Sequence, residues 1–139
     1  MLSLLPPGSR SVLDVGCNDM HLATLLPAGA TYTPLDKEPV VHPRAVRCNL
    51  DRELPDLDRH DAAWCAGVLE YVRDVPRVTK WLAGVAPVVV CSYAFRPGFT
   101  YCDQQAAFLA AWRGAGYRVA ASIALPESQR AYRFEREAQ

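Results

Sequence analysis

The chain has 139 residues, half of them hydrophobic, and its 15 basic and 15 acidic residues cancel to a formal net charge of zero. That length and apolar content suit one domain, spanning 1–139, with one core and no second. A neutral chain has no global field to draw it to nucleic acid or to an anionic membrane surface, so neither is expected as a partner.

Met1-Leu2-Ser3-Leu4-Leu5-Pro6-Pro7 lacks the basic leader and long apolar core of a secretion signal. Ser11 to Val15 then reads as a short apolar strand, interrupted by Asp14 just before Gly16. After the turn, Leu22, Leu25 and Leu26 fall at i, i+3, i+4, so the period switches from strand to helix and predicts a helix from Met20 to Leu26. Pro27-Ala28-Gly29 stops it. A strand that ends in a glycine turn and opens into a helix is the first half of a nucleotide-binding α/β unit, with the ligand above the turn.

Thr31 to Asp36 reads as a second strand ending in an acid, and Ala45 to Leu50 as a third. Pro39 and Pro43 between them leave no room for a crossover helix. Asp51 to His60, with Pro55 inside it, holds one helical turn at most. Asp61 to Leu69 is a near-continuous apolar run, the mark of a strand buried on both faces. Asp74 is placed to cap the next helix, with Pro76 in its first turn and Val78, Trp81, Leu82 and Val85 on one face. Val88 to Ala94 is another buried strand. Thr100 and Asp103 have capping-box spacing before a helix bearing Ala107, Phe108, Ala111 and Trp112. Gly114 and Gly116 end it. Tyr117 to Ile123 and Ala131 to Arg136 form an antiparallel hairpin around Pro126, with the C-terminal arginines on a solvated face. Alternating strands and helices predict an α/β fold with a mostly parallel sheet and this hairpin at its edge.

Five cysteines (Cys17, Cys48, Cys65, Cys91 and Cys102) are scattered singly, without a C-x-x-C pair or histidines at ligand spacing. No metal site is expected. An unpaired set fits a reducing compartment, so the cytoplasm is the expected location.

Functional residues converge where a parallel sheet places its strand ends. The turn Asp14 to Met20, Asp36, Asn49 and Cys65-Ala66-Gly67 line one crevice at the point where strand order reverses. An acid at the end of the second strand suits a ribose diol, and Asn49 or Asp51 suits an adenine amine.

These segments resemble class I S-adenosylmethionine-dependent methyltransferases. Val12-Leu13-Asp14-Val15-Gly16-Cys17 is similar to the family's first motif, Leu35-Asp36 to its ribose-binding acid, and Cys48-Asn49-Leu50-Asp51 with Leu54-Pro55 to its adenine segment. Asp61 to Val72, with Leu69-Glu70-Tyr71-Val72 at its end, is similar to the fourth-strand motif, where Tyr71 replaces a usual histidine. The likeness spans residues 9 to 136. It implies a Rossmann-like fold, S-adenosyl-L-methionine as cofactor, and methyl transfer to a small-molecule or biosynthetic-intermediate acceptor. By the same resemblance the cofactor-binding residues are Asp14, Gly16, Cys17, Asn18, Asp36, Lys37, Asn49, Leu50, Cys65 and Ala66. Tyr71 and His21 are the candidate catalytic residues.

Besides Tyr71, the chain departs from the family at two points. The three alternating glycines of the first motif read Gly16, Asn18 and Met20. Asn visits the left-handed region readily, whereas the Met20 side chain either enters the ligand space or turns under the sheet. Helix cover is also reduced, so one sheet face needs loops, a second copy or a protein partner to close it. Asp14 either faces the ligand or braces the turn. Three readings follow: an active methyltransferase, a degenerate domain kept for protein interaction or ligand sensing, and a nicotinamide-binding domain. The last wants G-x-G-x-x-G and meets only Gly16, Asn18 and His21.

Overall fold

The computed structural model describes residues 1–137. Seven strands form one sheet: β1 (Ser11–Val15), β2 (Thr31–Asp36), β3 (Val46–Arg47), β4 (Ala62–Ala66), β5 (Val88–Ala94), β6 (Tyr117–Ala124) and β7 (Gln129–Arg136). Their order is β3-β2-β1-β4-β5-β7-β6, with the first five parallel and the β6–β7 hairpin antiparallel. Strand order reverses between β1 and β4, which opens a crevice at their carboxyl ends. Pro34 is tolerated inside β2. The Leu35 carbonyl faces β1, so the missing N–H of Pro34 faces the other side, where β3 pairs only with Leu35 and Asp36.

Helices α1 (Val75–Val85) and α2 (Gln105–Gly114) cover one sheet face. The Asp74 side chain accepts from the Arg77 N–H, as its position predicts. Val78 and Leu82 pack with Leu13, Val15, Cys65 and Cys91 from alternate strand positions. Under α2, Trp112 stacks on Phe134 at 4.1 Å and 9°. Buried Tyr117 closes this end by donating its hydroxyl to the Ala86 carbonyl at 2.6 Å.

Several expected boundaries differ. The helix from Met20 to Leu26 is a single 3-10 turn, His21–Thr24; only Leu22 is buried, and Leu25 is 45% exposed. Met20 at its entry has φ 58, and Pro27 follows too soon for another turn. The strand expected to run through Leu69 stops at Ala66, because Gly67 takes φ +63 and donates its N–H to Ser92 Oγ. A 3-10 turn, Leu69–Tyr71, follows. Thr100 and Asp103 cap nothing: α2 starts at Gln105, and Thr100 Oγ1 donates to the Arg96 carbonyl. β3 is two residues long rather than six.

The face opposite the helices is not left open. Leu5, Met20, Leu22 and Leu26 pack on Val12, Tyr32 and Trp64, while Met1, Leu4 and Leu5 cover Val90 and Ala131. Val12 and Val90 are fully buried as a result. Among the described residues no helix is long and apolar enough to cross a membrane, and no cluster of three or more His, Cys, Asp or Glu is placed to hold a metal. All five cysteines are free.

Candidate functional site at the sheet crossover

A cavity of about 280 Å³ lies where the strand order reverses. That is just below the roughly 300–1,000 Å³ range of small-molecule sites. Four strand ends and one turn supply its walls: Gly16 after β1, Leu35 to Lys37 from β2, Cys48 to Asp51 after β3, Gly67 and Val68 after β4, then Tyr71 and Val72.

The turn after β1 is stapled to β2. The N–H groups of Gly16 and Cys17 both donate to the Leu35 carbonyl, at 2.8 and 3.2 Å. Gly16 has φ +70, and a Cβ there would meet Val68 Cβ and Cγ2 at 2.8 Å. The turn continues through Asn18 at φ 46, whose N–H donates to Asp36 Oδ2 at 3.0 Å. The Glu38 N–H donates to Asp36 Oδ1, also at 3.0 Å. Asp36 is therefore clamped from two sides, and each carboxylate oxygen keeps a second lone pair for a hydroxyl donor.

On the β3 side, Asn49 Oδ1 accepts from the Asp51 N–H at 3.0 Å, which folds the segment into a tight turn. Asp51 Oδ1 accepts from the Arg73 N–H at 2.9 Å, and the Arg77 guanidinium donates to the Leu50 carbonyl. These bonds fix the Asn49–Asp51 wall against the segment leading into α1. Glu70 is buried; its Oε1 accepts from the Ala94 N–H at 3.0 Å and its Oε2 has no partner. Burial pushes its carboxyl pKa up. The bond ties the Leu69–Tyr71 turn to the end of β5 and leaves Tyr71 on the cavity rim, 71% exposed. The loop after β5 exposes Phe99 and Tyr101, and the Arg73 guanidinium lies 5.8 Å from the Tyr101 ring centre.

Of the residues expected to hold the cofactor, Gly16, Asp36, Lys37, Asn49 and Leu50 line this cavity; Tyr71 of the two catalytic candidates does too. The others lie elsewhere. Asp14 is buried beneath the turn and accepts from the Tyr32 hydroxyl at 2.6 Å, so it braces the strand pair. Its pKa is pushed up to about 6, chiefly by burial. Cys17 is buried behind the turn, and Cys65 faces the helix-side core. Asn18 reaches the site through its backbone alone. Ala66 is exposed at the end of β4 without lining the cavity, and His21 is exposed on the 3-10 turn. Met20 turns under the sheet, against Val12, Leu22 and Tyr32. Val68 and Val72 are wall residues that sequence reasoning missed; nothing in the neighbours of Val68 signals that it stands over Gly16.

No protein-family model and no curated protein matches the sequence. Solved structures do match the fold. An S-adenosylmethionine-dependent methyltransferase from Mesorhizobium loti superposes with TM-score 0.76 at 15% identity, over 97% of this chain and 95% of that one. The N-methyltransferase NodS from Bradyrhizobium japonicum gives 0.76 at 14%, over 99% and 92%. CalO1, a methyltransferase in calicheamicin biosynthesis solved in its S-adenosylhomocysteine-bound form, gives 0.67 at 16%, over 96% of this chain and 50% of that one. Matches of this quality over nearly the whole chain show that it has the fold of class I S-adenosylmethionine-dependent methyltransferases.

Proposed function

We propose that the protein is an S-adenosylmethionine-dependent methyltransferase acting on a small-molecule acceptor. The observation that carries this reading is Asp36: a carboxylate at the end of β2, inside the crossover cavity, held by two backbone N–H donors with lone pairs to spare. A vicinal diol is the complement of such a group. The wall residues fit the rest of an adenosyl ligand. Leu35, Leu50 and Val72 supply apolar contact, and Asn49 and Asp51 supply polar atoms at one end. Gly16 keeps the backbone bare at the other.

S-adenosylmethionine supplies a methyl group already activated on a positively charged sulfur, so little covalent help is asked of the protein. In this reading Asp36 accepts the ribose hydroxyls, Lys37 flanks them, and Asn49 and Leu50 hold the base. Tyr71 is the rim residue placed to meet an acceptor, beside Phe99 and Tyr101 on the neighbouring loop. Alignment by these residues, rather than a dedicated base, carries the rate. Free, mostly buried cysteines agree with a reducing cytoplasm as the working compartment.

Calorimetric titration with S-adenosylhomocysteine tests the reading. Wild-type protein binds, and Asp36→Ala loses at least tenfold in affinity, since hydrogen bonds to a charged group are worth about 1.5–3 kcal/mol each. A flat wild-type titration overturns it and leaves the second reading, a catalytically degenerate domain kept for protein contact or ligand sensing. One observation favours that alternative: Val68 stands over Gly16, where the ligand's amino-acid end belongs.

A further inference from the structure

We infer that the outer edge of β6 is the homodimer interface, and that two copies join antiparallel about a twofold axis through Ile123. The inference is independent of the catalytic reading. β6 is the last strand of the sheet, and no strand among the described residues pairs with its outer side. It is eight residues long, and Arg118 is its one charge. That charge is taken up by Glu135 on β7 at 2.6 Å. Long edges of this kind are normally blunted by lysine, proline or a covering segment. This one carries only a bulge, between Val119 and Ala121.

The register decides the partner. Leu125 donates its N–H to the Gln129 carbonyl, and Ile123 and Ala121 follow at two-residue steps opposite Ala131 and Arg133. These three residues turn their backbone groups inward to β7. Ser122 and Ala124 therefore direct theirs outward. Water satisfies such a row in the monomer, but the row is also a template for an extended strand, and a second copy supplies that strand in register. With Ile123 opposite Ile123, Ser122 of each copy pairs with Ala124 of the other and all four outward residues are matched. A centre one residue either way opposes the free groups with Pro126 or with the bulge.

Side chains agree with that register. Ser122 and Ala124 are exposed and small, so the strands meet without obstruction. On the other face Ala121, Ile123 and Leu125 are half-buried beside Met1, Leu4 and Leu5. The twofold joins this apolar stripe to its own copy. It also brings the turn bearing Glu127, which pairs with Arg96 at 3.4 Å within its own chain, near Arg118 of the second copy, so each of these charges already has a partner and no unpaired like charges meet.

Light scattering on purified full-length chain gives the first test: the wild type has twice the monomer mass, and Ser122→Pro has the monomer mass. The Ser122 N–H is outward, so proline there breaks no backbone bond of the monomer and removes only the exposed 3.3 Å hydrogen bond that Ser122 Oγ accepts from Arg130. The second test is independent of how well that variant folds. Facing residues of a non-hydrogen-bonded pair have Cα atoms about 4.5 Å apart, within disulfide reach. Ile123→Cys therefore forms a 123–123 cross-link under mild oxidation, read by mass spectrometry, and Val119→Cys does not. A monomeric wild type at the highest soluble concentration, or a dimer in which Ile123→Cys fails to cross-link, overturns the inference.

Discussion

Val68 and Gly16 occupy one shared space at the crossover: a methyl group added to Gly16 would lie 2.8 Å from two carbons of the Val68 side chain. The glycine is thus required twice, once by its φ of +70 and once by this contact. Gly16→Ala is expected to cost more than about 2 kcal/mol, of which about 1–2 is the left-handed backbone. Val68→Gly in the same chain removes the contact and leaves the backbone strain. Urea denaturation of both singles and the double is expected to show a coupling of about 0.5–3 kcal/mol. Additive effects would mean that Val68 does not fill this space.

Val68 also narrows the end of the cavity at the Gly16 turn. Val68→Ala removes two methyl groups from that wall without touching Asp36 or Asn49. S-adenosylhomocysteine is expected to bind this variant more tightly than wild type by calorimetry. Unchanged affinity would place the ligand away from Gly16.

The parts of this site that were legible in the sequence are those set by backbone chemistry. Asp36 was readable because an acid closes an apolar strand, and α1 because Asp74, Pro76 and a clean apolar face all agree. The mostly parallel sheet with an antiparallel hairpin at its edge followed from strand and helix alternation. Side-chain direction at irregular turns was not readable. Leu22, Leu25 and Leu26 have helical spacing, yet Pro27 and the left-handed Met20 compress the segment to one 3-10 turn. Asp14 stands two residues before Gly16 but points to Tyr32, because alternation in β1 sends it to the face away from the helices. Nothing periodic in Met1–Leu5 announces that it covers Val90 and Ala131.

Met20 replaces a glycine of the first motif, and its direction carries a consequence. Its side chain packs with Leu22 and Tyr32 on the sheet face opposite the helices, outside the cavity. Met20→Gly is therefore expected to leave S-adenosylhomocysteine affinity unchanged. Tighter binding by Met20→Gly would place the thioether in the ligand space.

His60 is buried, with Nε2 3.0 Å from Thr33 Oγ1 and Nδ1 without a partner. Burial holds its pKa below the ordinary 6.5. The unfolded chain then binds the extra proton first, so this group withdraws stability as pH falls below 6.5. His60→Gln is expected to flatten the acid side of the stability profile in thermal melts from pH 7 to 5. A slope identical to wild type would show that His60 titrates normally in the folded chain.

Asp14 acts in the opposite sense. Its folded pKa is about 6 against an ordinary 3.8, and the folded chain holds the proton more tightly between those values. Its contribution is full below pH 3.8 and is lost as pH rises through 6, a loss of about 3 kcal/mol. Above pH 6 the buried carboxylate is ionised, and the Tyr32 hydroxyl at 2.6 Å is the hydrogen bond that offsets its burial. Tyr32→Phe removes that donor, so it is expected to lower the melting temperature more at pH 8 than at pH 5. Asp14→Asn removes the charge instead and is expected to raise the melting temperature at pH 8 relative to wild type. The two variants thus move in opposite directions at alkaline pH. Equal destabilisation by both at pH 5 and pH 8 would mean that Asp14 is ionised across the range and that its burial is fully compensated.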